Sequence, residues 1–168
     1  AVVAPVIVGH ETAGRLVDVE GGVDDLGPGE LVVIEPTMSC GSCRWCRLGE
    51  DNLCARLAFH GYSTGGGGLA EFTVVPRRMV HRVPPQLSPE HAALVEPLSV
   101  AHHAVGRADV RPGTVAAVFG AGPIGIGVLL MLRAAGAGRA IVVEPAADRR
   151  AAAAALGAEV VDPGDGDH

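Results

Sequence analysis

The sequence is poor in aromatic residues, in positive charge and in cysteine outside one short segment. Only 3% of its 168 residues are aromatic, so the core must be built from aliphatic side chains, and the 48% of apolar residues suffice for one. Lys and Arg number 13 against 19 Asp and Glu, which gives a formal charge of −6. Because nucleic-acid binding depends on clustered Lys and Arg, we expect no nucleic-acid partner.

Long charge-free runs are also scarce. The longest, residues 112–132, contains five glycines and two prolines, so a strand, a turn and a helix fit it better than a membrane span. The first residues lack the pattern of a secretory signal. These absences predict a cytoplasmic protein with no membrane partner.

The chain begins with Ala inside an apolar segment and ends after the third strand of its second part, so we expect both ends to be cuts through a larger fold.

The first part of the chain is typical of an all-β domain. Short apolar segments read as strands between glycine and proline turns: VVAPVIV, GRLVDVE, ELVVIEP and LAEFTVVP. This spacing predicts a small, partly open β-barrel over residues 1–106. Ser88 and Pro89 predict the start of a helix, and Pro97 predicts a break in it directly after Glu96.

The second part, residues 107–168, alternates strands with helices. VAAVF, RAIVVE and AEVVD read as strands, and IGVLLMLRAAGA and residues 148–156 read as the helices between them. Such alternation predicts a parallel sheet. The predicted fold class is therefore a β domain followed by the first half of a doubly wound α/β sheet.

All four cysteines lie in the segment SCGSCRWCRLGEDNLC, with the spacing C-x2-C-x2-C-x7-C. Four thiolates in one loop can surround a tetrahedral zinc ion, and such a closed site leaves no position for a substrate. We therefore predict a structural zinc site in a lobe over residues 36–56, with the ligands Cys40, Cys43, Cys46 and Cys54. An iron–sulfur cluster, disulfides and a redox pair remain as alternatives.

Residues 120–125, GAGPIG, fit the dinucleotide-binding pattern G-x-G-x-x-G. The pattern follows a predicted strand and opens a predicted helix, which is the context it requires. Glu144 ends the next strand nineteen residues after Gly125, where a carboxylate binds the adenosine ribose and repels a 2′-phosphate. We therefore predict NAD rather than NADP, although Arg149 and Arg150 follow closely. The predicted cofactor-binding residues are Gly120, Gly122, Pro123, Ile124, Gly125 and Glu144.

Two further places in the sequence offer metal ligands. His10 and Glu11 follow an apolar segment, but the protease pattern H-E-x-x-H needs a second His at the position that Gly14 occupies. Glu96 lies among apolar residues, and a buried carboxylate calls for a metal or another cation as its partner. Residues 65–68, four glycines, read as a hairpin connection, with a mobile loop near an active site as the alternative.

In this order, the motifs GHE, the four-cysteine loop ending in NLC, GG-x-AEF, EPL, GAGPIG and VVEP resemble those of the zinc-containing medium-chain dehydrogenases. The branch they most resemble is that of the butanediol, sorbitol and threonine dehydrogenases. The resemblance implies a GroES-like catalytic domain followed by a Rossmann domain, with substrate between them. It also implies a homo-oligomeric enzyme, similar to a butanediol dehydrogenase, that uses zinc and NAD to interconvert a secondary alcohol, diol or polyol and its ketone.

By the same resemblance, His10 and Glu96 are catalytic zinc ligands, Glu11 is a ligand or a neighbour of one, and the cysteine loop holds the structural zinc. Glu96 stands where ethanol-type members carry a cysteine, which favours polyols and secondary alcohols as substrates. The family's first catalytic ligand, a cysteine upstream of GHE, and the Ser or Thr that relays the proton have no counterpart in this sequence. The second half of the Rossmann sheet, which holds the nicotinamide, also lacks a counterpart.

Other functions stay open at this point. A zinc-free quinone or enoyl reductase of the same superfamily would not need the metal-ligand motifs. A non-catalytic zinc-binding interaction module joined to a nucleotide-binding half-domain and an inactive dehydrogenase fragment are the remaining candidates. His102 and His103 follow Glu96 by six and seven residues and could border the site. No role is assigned to His60, His81, His91 and His168.

Overall fold

The computed structural model describes residues 6–21 and 23–165. It divides into two compact units, Ala1–Glu96 and Pro97–His168. The sequence-based boundary at residue 106 falls near the other end of a helix that spans Val95–Arg107. No helix in the described ranges is both long enough and apolar enough to cross a membrane.

The first unit combines short strands with short helices. Its described elements are β1 (Thr12–Arg15), β2 (Leu31–Ile34), β3 (Thr37–Met38), α1 (Arg44–Arg47), β4 (Ala58–Phe59), β5 (Val80–Arg82) and α2 (Pro89–Ala93), with 3-10 turns at Asp51–Leu53 and Arg77–Met79. β1, β2 and β5 form an antiparallel sheet in the order β1-β2-β5, and β3 pairs with β4 in a separate antiparallel ribbon. Over the described residues these strands do not close into a barrel.

The central strand β2 is buried on both faces, and all four of its residues are apolar. Leu31 and Val33 pack with Ala92 of α2 in one cluster, while Val32 belongs to a second cluster on the opposite face. Because successive side chains of a strand alternate between its faces, a strand covered on both sides must be apolar throughout. The prediction of a strand in ELVVIEP is confirmed.

Of the other strand predictions in this unit, one is wrong, one is shifted and one lies mostly outside the described residues. In VVAPVIV (residues 2–8), residues 2–5 lie outside the described residues, and the described residues 6–8 are not part of a strand. In GRLVDVE only the first two residues belong to a strand, because β1 begins earlier, at Thr12. LAEFTVVP forms no strand, and Phe72 and Val74 are 72% and 91% exposed. An alternating pattern shows which side chains share a face, but a strand also needs a hydrogen-bonding neighbour, which the pattern cannot supply.

The helix that Ser88 and Pro89 predict is confirmed. The Ser88 side chain accepts a hydrogen bond from the His91 backbone N–H at the start of α2. The break is misplaced, however, because it lies at Leu94 rather than after Glu96, and α3 (Val95–Arg107) begins before Pro97. Proline is tolerated in the first turn of a helix, where its missing N–H would have no partner in any case.

The second unit is a parallel α/β layer. Its elements after α3 are β6 (Val115–Phe119), α4 (Pro123–Ala134), β7 (Arg139–Val143), α5 (Ala147–Ala155) and β8 (Glu159–Val161). The three strands pair in parallel in the order β6-β7-β8. Val118 and Val142, on neighbouring strands, are buried together with Leu129 and Leu132 of α4. The predicted alternation and the parallel sheet are confirmed, with α4 beginning at Pro123, inside the glycine motif.

Candidate functional site

The four cysteines converge in the loop between β3 and β4. A single turn of helix, α1, follows Cys43 and brings the Sγ atoms of Cys43 and Cys46 to 3.5 Å from each other. The Sγ atoms of Cys40 and Cys46 are 3.9 Å apart, and the Cys40 backbone N–H donates to Cys54 Sγ at 3.3 Å. All four Sγ atoms lie within 4.8 Å of one another.

These distances fit a tetrahedral metal site. Zinc–sulfur bonds of about 2.3 Å at tetrahedral angles place sulfur atoms about 3.8 Å apart, close to the separations in this loop. A disulfide would require about 2.05 Å, and all four cysteines are free thiols. The donor set and its spacing therefore suit zinc and argue against disulfides.

The loop also tunes the charge of its thiols. Hydrogen bonding from the Ser42 backbone N–H, together with the Arg56 guanidinium, lowers the pKa of Cys40 to about 5. Backbone hydrogen bonds, chiefly from Cys46, lower the pKa of Cys43. Burial, with contributions from neighbouring thiols, raises the pKa of Cys46 to about 12. Backbone N–H groups directed at sulfur stabilise part of the negative charge that a set of thiolates carries.

A second group of metal-ligating side chains forms in the first unit from His10, Glu11 and Glu96. Their ligand atoms lie within 4.8 Å of one another, although 85 residues separate Glu11 from Glu96 in the sequence. Glu11 directly precedes β1, and Glu96 is the second residue of α3. His10 and Glu96 are half-buried and Glu11 is exposed. An imidazole and two carboxylates are all ligand types that zinc accepts.

The electrostatics of this group are set by Glu96. Burial raises the pKa of the Glu96 carboxyl, His10 opposes that rise, and the carboxylate of Glu11 adds to it. With a neutral imidazole and both carboxylates ionised, the group carries a charge of −2, which a divalent cation would balance. The three side chains therefore fit a divalent metal by donor type, proximity and charge.

The segment that carries His10 is held by the glycine-rich loop. The Gly9 N–H donates to the Gly61 carbonyl at 3.1 Å, and the Gly68 N–H donates to the Gly9 carbonyl at 2.8 Å. Gly9 has a φ of +100°, and a Cβ at Gly61 would lie 1.9 Å from the Gly9 carbonyl oxygen. The interpretation of residues 65–68 as a hairpin connection is wrong, because the flanking strands β4 and β5 pair with other strands and not with each other. The loop instead packs against residues 7–12.

His60, which the sequence assigned no role, is a buried polar group of this region. Its side chain is 4% exposed, and its Nε2 forms a hydrogen bond of 2.9 Å with Thr73 Oγ1. Burial lowers the pKa of His60. No local motif signals this position, because its contacts are made with residues six and thirteen positions away.

The loop between β6 and α4 has the geometry of a phosphate cradle. Gly120 has a φ of +96°, and its N–H donates to the Val143 carbonyl at 2.8 Å. A Cβ at Gly125 would lie 2.0 Å from the Gly120 carbonyl oxygen, so the helix approaches the loop more closely than any side chain allows. Gly122 precedes α4 as its N-cap and faces open space, and Pro123 is the first helical residue. An open helix N-terminus of this kind suits a pyrophosphate.

Glu144, at the end of β7, is buried beside this loop. Its Oε2 accepts from the Ala121 N–H at 2.7 Å, and its Oε1 accepts from the Ala146 N–H at 2.9 Å. These backbone hydrogen bonds, the Ala121 contact foremost, lower the pKa of the Glu144 carboxyl. A carboxylate has about four acceptor positions, so two of them are free of these backbone donors.

The two arginines after Glu144 differ in their surroundings. Arg150 donates through Nη1 to the backbone carbonyls of Glu144 and Pro145, and its Nη2 lies 2.6 Å from Asp162 Oδ2. Arg149 is exposed. Arg150 is therefore already engaged by three acceptors of its own chain.

The remaining candidate histidines do not join either metal-ligand group among the described residues. His102 and His103 are exposed on α3. His102 lines an open groove of about 310 Å³ between α3 and α4, together with Asp109 and Met131. The geometry gives neither histidine a metal-binding role.

Comparison with known proteins identifies the family. Residues 1–85 match the alcohol dehydrogenase GroES-like domain. L-idonate 5-dehydrogenase of Vitis vinifera is 41% identical over 155 residues, which cover 92% of this chain and 42% of that protein. (R,R)-butanediol dehydrogenase of Bacillus subtilis (strain 168) is 41% identical over 160 residues, or 95% of this chain and 45% of that protein.

The fold has close counterparts among solved structures. A zinc-binding dehydrogenase from Sinorhizobium meliloti 1021, solved with NADP, superimposes with a TM-score of 0.92 at 37% identity and covers 97% of this chain and 48% of its own. The chain thus spans less than half the length of these relatives. The fold class predicted from the sequence, a GroES-like domain followed by part of a Rossmann sheet, is confirmed. The chain belongs to the alcohol dehydrogenase GroES-like family, and its relatives are medium-chain, zinc-dependent dehydrogenases.

Proposed function

We propose that this chain is part of an NAD-dependent zinc oxidoreductase that interconverts a secondary alcohol, diol or polyol and its ketone. The observation that carries the proposal is the convergence of His10, Glu11 and Glu96, from opposite ends of the first unit, into one group of ligand atoms. Because the chain spans less than half of its relatives, the activity is proposed for the protein as a whole.

The proposed catalytic metal site consists of His10, Glu11 and Glu96, and the proposed structural site consists of the four cysteines. When bound, zinc supplies Lewis-acid polarisation of an alcohol oxygen and NAD supplies the hydride acceptor. His10 offers an uncharged ring nitrogen, and the two glutamates supply negative charge that holds a dication. The cysteine loop presents only thiol ligands and is closed, so its role is to stabilise the lobe around it.

The proposed nucleotide site is the loop from Gly120 to Gly125 with Glu144 beside it. Gly122 leaves the N-terminus of α4 open to a pyrophosphate, and Pro123 and Ile124 form the first turn beneath it. The proposal favours NAD over NADP for two reasons. The Glu144 carboxylate repels a 2′-phosphate, and Arg150 is held by Asp162 and by backbone carbonyls.

The proposed substrates are secondary alcohols, diols and polyols, because a glutamate occupies position 96 where ethanol-type dehydrogenases carry a cysteine. The curated relatives are named for idonate and butanediol, which are compounds of this class.

We place the protein in the cytoplasm, because four unpaired thiols within 4.8 Å of one another persist as ligands only where disulfides do not form. Assembly into homo-oligomers stays a prediction.

Zinc uptake by the metal-free chain tests the two metal sites. Under reducing conditions we expect two zinc ions per chain, one held tightly and one removed by mild chelation. His10→Ala should abolish only the labile ion, because the cysteine loop does not involve His10. A chain that binds one zinc, with or without His10, would overturn the catalytic metal site.

NAD reduction by the complete protein with butanediol, sorbitol and ethanol then tests the substrate class, and a rate with ethanol equal to that with butanediol would contradict it.

A further inference from the structure

His60 occupies a position from which it can set the geometry of the proposed catalytic metal site. It follows β4, and its backbone N–H donates to the Pro36 carbonyl at 2.9 Å. Its ring is buried, and because that burial lowers its pKa, the neutral form is favoured, in which one ring nitrogen donates and the other accepts. Thr73 Oγ1, 2.9 Å from Nε2, fixes the direction in which the ring points. An apolar side chain of similar size would fill the same space without fixing that direction.

The ring packs directly against the backbone of Gly66. A Cβ at Gly66 would lie 2.8 Å from His60 Cε1 and 3.3 Å from Nδ1, so no larger residue fits there while the ring stays in place. The Gly66 carbonyl in turn accepts hydrogen bonds from the Gly61 N–H at 2.6 Å and from Thr64 Oγ1 at 3.2 Å. His60 thus supports the turn formed by residues 61–66 from its buried side.

The same turn holds the residue before the metal ligand. Gly61 accepts from the Gly9 N–H, and Gly68 donates to the Gly9 carbonyl, so both backbone polar groups of Gly9 are bonded to the glycine loop. The Gly9 backbone is left-handed, and a small rotation there would redirect His10. A continuous series of contacts therefore leads from Thr73 and His60 through the glycine loop to His10.

We propose that His60 is a positioning residue for the metal site of His10, Glu11 and Glu96. Its hydrogen bond to Thr73 orients the ring, the ring supports Gly66, and the loop fixes Gly9 and thereby the His10 side chain. The inference rests on the proposed function only in requiring that this group binds a metal. Residues that orient a metal ligand without touching the ion affect metal affinity by roughly 10- to 100-fold.

The test is a zinc competition titration of the 168-residue chain, with the four-cysteine site as internal control. Thr73→Val keeps the shape but removes the hydroxyl, and we expect it to weaken the labile zinc by about tenfold while the tight zinc is unchanged. Thr73→Ser restores a hydroxyl and should restore the affinity. The visible spectrum of the second cobalt(II) equivalent should change in Thr73→Val and return in Thr73→Ser, which a general loss of stability would not produce.

A matched glycine pair tests the ring contact without altering His60 or Thr73. Gly66→Ala places a methyl group against the ring and should weaken the labile zinc, whereas a Cβ at Gly65 meets no atom within 4 Å, so Gly65→Ala should not. If Thr73→Val and Gly66→Ala bind the labile zinc as tightly as the wild type, or if Thr73→Ser is as weak as Thr73→Val, the positioning role is refuted. A wild-type chain without a labile zinc refutes the metal site itself, and this failure is seen before any variant is compared.

Discussion

The buried carboxylate of Glu144 accepts a hydrogen bond of 2.7 Å from the backbone N–H of Ala121. This bond joins the end of β7 to the glycine loop that follows β6, so the residue proposed to select the nucleotide also holds the loop proposed to bind it. The second oxygen of Glu144 accepts from the Ala146 N–H at the start of α5. One side chain therefore joins two connections of the α/β unit, the loop between β6 and α4 and the loop between β7 and α5.

Replacing Glu144 by Gln should destabilise the chain in a pH-dependent way. The Gln side chain has one acceptor and one donor group, so its NH2 would face a backbone N–H. The pKa of Glu144 in the folded chain lies below its ordinary value of 4.5, so the stabilisation is fully present above pH 4.5 and is lost as the pH falls through the lower folded pKa. The difference in free energy of unfolding between wild type and Glu144→Gln should therefore be largest near pH 7 and shrink below pH 4.5. Denaturant titrations over that range measure it.

Glu159 provides the control for this experiment. Its ion pair with Arg139 also lowers its pKa, but both side chains are more than half exposed. Water screens an exposed ion pair, so Glu159→Gln should change stability much less at every pH. Equal losses of unfolding free energy in the two variants would show that the buried hydrogen bonds of Glu144 stabilise the chain no more than the exposed ion pair of Glu159 does.

The glycines at 122 and 125 should respond to alanine in opposite ways. Gly125→Ala forces a methyl group to 2.0 Å from the Gly120 carbonyl oxygen, so we expect a loss of about 2 kcal/mol in the free energy of unfolding, as for overpacking. Gly122→Ala meets no atom within 4 Å and should cost at most about 1 kcal/mol, the difference between Gly and Ala at an N-cap. It should nevertheless weaken NAD binding at least about tenfold, because its methyl group occupies the approach to the helix N-terminus. Thermal unfolding and calorimetry separate the two effects, and strong NAD binding by Gly122→Ala would contradict the proposed nucleotide site.

Removing one cysteine should abolish the tight zinc. Cys54→Ala leaves three thiols, and we expect elemental analysis to show the loss of one zinc per chain. Since metal binding to such a site stabilises the fold, the loss should lower the free energy of unfolding and reduce Tm by about 2–4 °C for each kcal/mol lost in a chain of this length. Ser39→Ala, in the same loop, should retain the zinc and the Tm. Retention of tight zinc by Cys54→Ala would remove Cys54 from the ligand set.

Breaking the ion pair of Arg150 and Asp162 should relax the preference for NAD. In Asp162→Asn the guanidinium loses its carboxylate partner and becomes able to approach a 2′-phosphate. We expect the affinity for NADP relative to NAD to rise about fivefold, which corresponds to about 1 kcal/mol for one solvent-accessible contact between unlike charges. Glu159→Gln, which breaks the Arg139 pair instead, should leave the ratio unchanged. Calorimetric titration with both nucleotides measures the ratio, and an unchanged ratio in Asp162→Asn would show that Arg150 does not limit NADP binding.

Features that depend on neighbours in the sequence were predictable. The glycine motif at 120–125 and the alternation around it specify a strand, a turn and a helix locally, because the special backbone of Gly120 and the first-turn preference of Pro123 are properties of those residues. The spacing of the cysteines is likewise local, since all four occur within fifteen residues and one helical turn brings two of them together. The structure forms the strand, the turn and the helix where the sequence predicts them and brings the four thiols together, while the roles of these residues as cofactor and metal ligands stay predictions.

Features that depend on distant partners were not predictable. LAEFTVVP has the alternation of a strand but no ladder partner among the described residues. The packing of the glycine loop on Gly9 and the burial of His60 join positions that no motif links. The position of the break between α2 and α3 was also not predictable, because a proline such as Pro97 is compatible with the first turn of a helix as well as with an interruption of a helix.

The amino-acid sequence by itself determined which chemical groups this protein has and their local geometry: four thiols in one loop, a glycine turn before a helix, and a carboxylate after the next strand. The tertiary structure alone decided which distant groups meet: His10 and Glu11 with Glu96, and His60 with the loop that supports Gly9. The physical reason is that local geometry follows from backbone preferences within a few residues. The meeting of distant side chains is instead set by tertiary packing within the first unit, such as that of β1 against α2, to which many residues contribute small energies.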